Sequence, residues 1–99
     1  MSLENLSDRE RIQIFVALEN PIRYNMIIFL SNSGGESKHS EIASKLKLDE
    51  LEYVHHANLL LEAGLTKPVY YSHQGKETLD TSIEITEKAK MVLDFLNKD

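Results

Sequence analysis

Two adjacent histidines, His55 and His56, lie in the stretch DELEYVHHANLLLEAG at 49–64. A histidine pair invites a metal site, but helical neighbours point about 100° apart, and no HExxH pattern surrounds these two. The chain has no cysteine, which excludes disulfides, zinc-thiolate sites and thiol catalysis together. No nucleophile, base and orienting group assemble from local motifs, and SNSGGES at 31–37 lacks the lysine of a phosphate loop. Neither an enzyme nor a cofactor is expected. What the stretch offers is hydrogen-bonding and apolar chemistry suited to base edges. Asn58 can bond adenine bidentately, His55 can donate to a base or a phosphate, and Leu51 or Val54 can touch a thymine methyl. His56 reads as a half-buried packing residue.

Those side chains need a helix that aims them outward. Asp49 with Glu52 forms the Asp version of a capping box, and Gly64 suits a left-handed C-cap, so a helix over about 50–63 follows. Wheel arithmetic turns Tyr53, Ala57 and Leu60 toward a core. Leu51, His55, Asn58 and Glu62 fall on the opposite side, with Glu50, Glu52 and Val54 at its edges.

Upstream, SDRE at 7–10 predicts a capping box that opens a first helix to about Leu18. Asn20 and Pro21 start a second helix to about Ser31, with Ile22, Met26, Ile27 and Leu30 facing inward. SNSGGES reads as a loop. Ser37 or Ser40 then caps a short helix to about Leu46, which places Ile42, Ala43 and Leu46 at core spacing, and Lys47 with Leu48 makes a turn. After Gly64 the period changes to two. LTKPVYY and ETLDTSIEI form a hairpin with Gly75 near its tip and Leu79, Ile83 and Ile85 as its apolar positions; Tyr70 and Tyr71 are one core and one surface residue of it. Thr86 caps a last helix to about Asn97, along which Ala89, Val92, Leu93 and Leu96 share a face.

The order helix, helix, short helix, helix, hairpin, helix is mainly α with a small β-hairpin. It is a winged helix-turn-helix with flanking N- and C-terminal helices, in one domain spanning 1–99. The helix-turn-helix covers about 38–63, the wing about 65–85 and the C-terminal helix about 86–97. ALENPIRYNMIIFL at 17–30 resembles the opening of ArsR-type transcriptional repressors. HSEIASKLKLDELEYVHHANLLLEAGL at 39–65 is similar to that family's helix-turn-helix, and IEITEKAKMVLDFL at 83–96 to its closing segment. The most specific matches are Pro21 with Arg23, His55 with His56, and Glu62-Ala63-Gly64-Leu65. The resemblance implies a homodimer on double-stranded DNA. Such sensors bind metal through cysteines near the recognition helix or through Asp and His on the last helix. This chain has no cysteine and no histidine in its last helix, so a regulator without a metal-sensing site is expected.

The net charge is −5, so the chain does not coat nucleic acid by charge alone. Its middle is neutral, however. Residues 37–76 hold five cations and five anions, and the acidic excess lies toward the two ends. Phosphate contacts are expected from Lys38, Lys45 and Lys47 around the third helix and from Lys67, His73, Gln74 and Lys76 on the wing. The matching groove face in the family carries Ser, Thr, Gln and cations where this chain has Glu50, Leu51, Glu52, Val54 and Asn58. That departure leaves an alternative open: a winged helix that binds a basic, apolar protein partner through its carboxylates and exposed Leu51, Val54 and Leu59.

Helix one is apolar at Ile12, Ile14, Phe15, Val16 and Leu18, and Met91 and Phe95 broaden the last helix beyond what a small core needs. Packing against a two-fold mate through Ile12, Phe15, Val16, Met91 and Phe95 would cover both. Half-sites would then lie one DNA turn, roughly 34 Å, apart. No apolar run approaches the roughly 18 residues that span a bilayer, and MSLENLSDRE lacks the character of a signal peptide, so a cytoplasmic protein without a membrane partner is expected.

Overall fold

The computed structural model describes residues 3–69, 72–73, 76–77 and 82–97, with the side chains of Leu3, Ser72, His73, Lys76 and Glu77 outside that description. After a 3₁₀ turn at Leu3–Asn5, helix α1 spans Asp8–Leu18. Its capping box is complete: Glu10 N donates to Ser7 Oγ at 3.1 Å and Ser7 N donates to Glu10 Oε1 at 3.2 Å. Helix α2, Pro21–Asn32, starts where Asn20 Oδ1 accepts from the amides of Ile22 at 2.9 Å and Arg23 at 3.3 Å.

The segment expected to be a loop contains a strand. Gly34 (φ +80°) and Gly35 (φ +94°) turn the chain back in the left-handed region, and Gly35 N closes the end of α2 on Leu30 O at 2.8 Å. Gly35 O then accepts from Ile85 N at 2.8 Å, which lays Glu36–Lys38 as β1 along the edge of a later strand. Ser37 is therefore buried in a sheet and donates through Oγ to Glu41 at 3.1 Å. It caps nothing. Helix α3, His39–Lys45, has Lys38 at its N-cap with no side-chain cap bond, so neither Ser37 nor Ser40 plays the expected part. A three-residue strand is too short to show a period, and a neighbouring strand edge supplied the hydrogen bonds.

Helix α4 spans Glu50–Glu62. The acceptor half of its capping box is formed, Glu52 N donating to Asp49 Oδ1 at 2.8 Å. At its other end Leu65 N reaches Leu60 O and Gly64 N reaches Leu61 O, both at 3.0 Å, with Gly64 at φ +77°. This is a Schellman closure, and Leu60 and Leu65, both fully buried, make its apolar contact.

The sheet has the order β1-β5-β2, antiparallel throughout, with β2 at Thr66–Val69 and β5 at Ser82–Ile85. Short strands β3 (Ser72–His73) and β4 (Lys76–Glu77) pair with each other farther out, His73 opposite Lys76. These strands follow the expected hairpin; Tyr70, Tyr71, Gly75 and Leu79 lie outside the described residues. Helix α5, Glu87–Leu96, is capped by Thr86, whose Oγ1 accepts from Ala89 N at 3.2 Å and donates to Gly64 O at 2.7 Å. One hydroxyl thus ties the start of α5 to the end of α4.

The core joins Ile14 of α1, Met26, Ile27 and Leu30 of α2, Ile42 of α3, Tyr53 and Leu60 of α4, Ile83 and Ile85 of β5, and Ala89, Val92 and Leu93 of α5. Full burial of each large apolar side chain contributes about 1.5–3 kcal/mol. Ile14 belongs to this core, not to an outer face. Leu96, expected on the inward face of α5, is 45% exposed. No helix among the described residues is long and apolar enough to cross a membrane.

Candidate functional site

Helices α3 and α4 meet through a four-residue turn, Leu46 to Asp49. Leu48 N donates to Ala43 O at 2.9 Å and Lys47 N to Ser44 O at 3.2 Å, the same closure that ends α4. Here the left-handed position is Lys47, at φ +57°, where glycine is the unstrained choice. The two helices are also joined by a hydrogen bond between Tyr53 Oη and His39 Nδ1, and the two rings meet edge to face at 5.4 Å. Burial pushes the Tyr53 phenol far above its ordinary range, so it stays neutral.

With Tyr53, His56 and Leu60 turned into the protein, α4 presents the opposite side to solvent. Leu51 is 84% exposed, Val54 46%, and His55 and Asn58 are exposed. All four expected base-contact residues therefore share an open helix face. Glu50 shares it too. It lines a groove of about 540 Å³ between α3 and α4 together with Val54, Asn58, His39 and Ser40. Leu59 is half-buried, whereas Leu61 is 48% exposed, so the outward leucines of the helix are Leu51 and Leu61. That corrects the expected exposure of Leu59, which lines a depression shared with Ile12 and Val16 of α1.

The expected phosphate ligands divide by location. Lys38 ends β1 opposite Ser82 and is exposed. Lys45 is exposed in the last turn of α3, beside Phe29, Ser40, Glu41 and Ser44. Lys47 protrudes from the turn itself. Lys67 lies across β2 and β5 from its register partner Glu84, Nζ to Oε1 at 3.3 Å, which offsets its charge. The backbones of His73 and Lys76 are paired in the outer hairpin. Their side chains, and all of Gln74, lie outside the described residues.

On α1 and α5, Ile12 (61% exposed), Phe15 (48%), Val16 (52%), Phe95 (55%) and Leu96 (45%) are apolar side chains in contact with water. Met91 is half-buried. Ile12, Phe15, Val16 and Leu96 line one depression with Tyr24. A second, of about 240 Å³, runs between α1 and α4 over Arg23 and Leu59. Isolated exposed apolar residues need no explanation, but a contiguous patch marks an interaction surface.

Sequence reasoning missed the pairing of Arg23 with His56. Arg23 is 8% exposed; its Nε donates to Ala17 O at 2.7 Å, and a terminal nitrogen lies 3.0 Å from His56 Nδ1. Both residues stood out in the motif match. Their 33-residue separation kept the contact itself invisible. His56 is held below the ordinary imidazole value, first by burial, then by the Arg23 and His55 charges, with Glu52 opposing. No group of three or more His, Cys, Asp or Glu placed to hold a metal ion occurs among the described residues.

No family model and no curated protein matches the sequence. Solved structures do match. A homodimeric winged helix-turn-helix DNA-binding domain from Mycobacterium bovis, described as a possible ArsR-family transcriptional regulator, is similar at a TM-score of 0.71 and 18% identity, over 93% of this chain and 84% of that one. An ArsR family transcriptional regulator matches at 0.68 and 22% identity, over 97% and 89%. A transcriptional regulator homologue from Pyrococcus horikoshii matches at 0.65 and 25% identity, over 90% and 98%. The chain therefore has the winged helix-turn-helix fold of these structures.

Proposed function

We propose that this protein is a homodimeric, cytoplasmic DNA-binding transcriptional regulator without a metal-sensing site. The observation that carries this reading is the outward face of α4. Leu51, Val54, His55 and Asn58 are all presented to solvent on a helix whose other side is locked into the core. A helix held in that way can enter a major groove as a rigid body, with one amide, one imidazole and two apolar groups to read bases. Lys38, Lys45 and Lys47 beside it, and Lys67, His73, Gln74 and Lys76 on the wing, supply phosphate contacts. Dimerisation through Ile12, Phe15, Val16, Met91 and Phe95 sets two such units on a pseudo-palindromic site, and regulation is steric, by occupancy.

Selection from a random duplex library at low and at moderate salt tests the reading. Enriched sites with two-fold symmetry are expected, with tighter binding by a Glu50→Gln/Glu52→Gln variant, because carboxylates near phosphates repel. No enrichment at either salt would remove the specific-regulator reading. One observation favours a second reading: Glu50 shares the groove face with Val54 and Asn58, and Leu51 and Leu61 stand exposed. On that reading the helix docks a basic, apolar protein surface. The same Gln variant would then weaken partner capture and leave duplex binding absent.

A further inference from the structure

Arg23 closes the end of one helix on the middle of another. The last carbonyls of α1 have no partner within the helix, and Arg23 takes two of them: Nε donates to Ala17 O at 2.7 Å, and Nη2 lies 3.5 Å from Val16 O. The remaining terminal nitrogen, Nη1, is 3.0 Å from His56 Nδ1. A guanidinium in a protein has only donors, so His56 Nδ1 is the acceptor, and the imidazole is neutral with its proton on Nε2. Both side chains are buried, each 8% exposed. The neighbour of His56 on α4 is His55, whose ring meets that of His56 at 5.0 Å and which itself faces solvent among the base-contact residues. Val16, at the other end of the strut, is half-exposed on the apolar face of α1.

We propose that Arg23 and His56 are positioning residues for DNA recognition: a strut that sets α4 against α1 while His56 is neutral and gives way when His56 takes a proton. This rests on the DNA-binding reading above. Protonated imidazole carries two donors and no acceptor, so the Arg23 bond is lost and two buried cations face each other. Arg23 of α2 and His55 of α4 oppose the proton; Glu52, one turn earlier on α4, is the carboxylate that favours it. The relief is a shift of α4 away from α2, which carries His55 and Asn58 out of register with the second half-site. Positive charge added to the exposed face acts in the opposite sense, since duplex binding favours it. The two contributions can be separated by sign.

The test measures duplex affinity between about pH 5 and pH 8 at constant ionic strength, with helix content followed at each pH, for the unmodified protein, His56→Asn and His55→Asn. In His56→Asn the introduced amide oxygen can accept from Arg23 near the position that Nδ1 holds, and the amide does not titrate. Affinity of His55→Asn should fall by roughly fivefold or more, and that of the unmodified protein less steeply, as the pH drops beneath the ordinary imidazole value of 6.5 below which His56 is held, with helix content unchanged, a typical size for coupling between sites. His56→Asn should hold its affinity or gain. A His55→Asn variant that keeps its affinity across that range, or a His56→Asn variant that loses affinity in parallel with the unmodified protein, overturns the proposal. A second measurement needs neither DNA nor a variant: in the free protein, ring ¹⁵N shifts should show His56 Nδ1 unprotonated at neutral pH, and the amides of Val16, Ala17 and Asn58 should titrate with it. If they do not, the strut is refuted. If they do and no duplex binds at any pH, the DNA-binding reading fails and the strut stands.

Discussion

Lys88 Nζ lies 3.3 Å from Glu10 Oε2, which joins the first turn of α5 to the first turn of α1. Glu10 also completes the cap of its own helix through the Ser7 amide. One carboxylate thus serves a local and a long-range contact, and the chain's two terminal helices are tied where both begin.

Acid should act on this fold in two stages. The Ser7 backbone amide first, then the Lys88 and Ser7 side chains, hold Glu10 below its ordinary value of 4.5. Burial holds His56 below 6.5. Both groups bind protons more readily when unfolded, so the stability each contributes is present above those values and is lost as pH falls through the lower folded ones. Urea midpoints between about pH 3 and pH 8 should drop in an upper step that His56→Asn removes and a lower step that Glu10→Gln reduces.

Lys47 occupies a left-handed position that costs a non-glycine residue about 1 kcal/mol. Lys47→Gly should therefore raise stability in urea by roughly that amount, while weakening duplex binding and lowering its salt slope by about one phosphate. A variant that gained stability and lost no affinity would show that the lysine does not touch the backbone of DNA.

Gly64→Ala should destabilise by about 1–2 kcal/mol through backbone strain alone. The added Cβ would meet only the flexible end of Lys88, at 3.0 Å, so crowding is relieved by moving that side chain. Introduced into a Lys88→Ala background, Gly64→Ala should cost nearly the same further amount, as measured by urea unfolding.

Asn58 is exposed. Asn58→Ala should leave the thermal midpoint where it is and cost about 1–3 kcal/mol of discrimination at one base position of a selected site. Lys45→Ala with Lys76→Ala should weaken binding to every duplex and flatten the salt dependence instead.

Phe15→Asp or Phe95→Asp places a charge on an apolar surface that is half open to water in the single chain. Sedimentation should report a dimer for the unmodified protein and a monomer for either variant, with helix content retained. Persistence of the dimer would move the interface elsewhere.

Much of this was legible in the sequence because it rests on contacts a few residues apart. Ser7, Asn20, Asp49 and Thr86 cap the helices they were expected to cap, and Gly64 ends α4. The outward side of α4 follows from wheel arithmetic, since a side chain's direction on a helix is a local property. Leu59 departed from expectation because it turns toward a depression it shares with α1, which the helix's own period does not record.

What the sequence alone determined, then, is the run of elements and the set of side chains α4 offers outward: capping, turn chemistry and periodicity are short-range and survive without neighbours. Only the tertiary structure decided that Glu36–Lys38 would become a sheet edge and that Arg23 would meet His56. Each of these depends on a partner brought from far along the chain, and distance in sequence carries no record of which buried donor will find which buried acceptor.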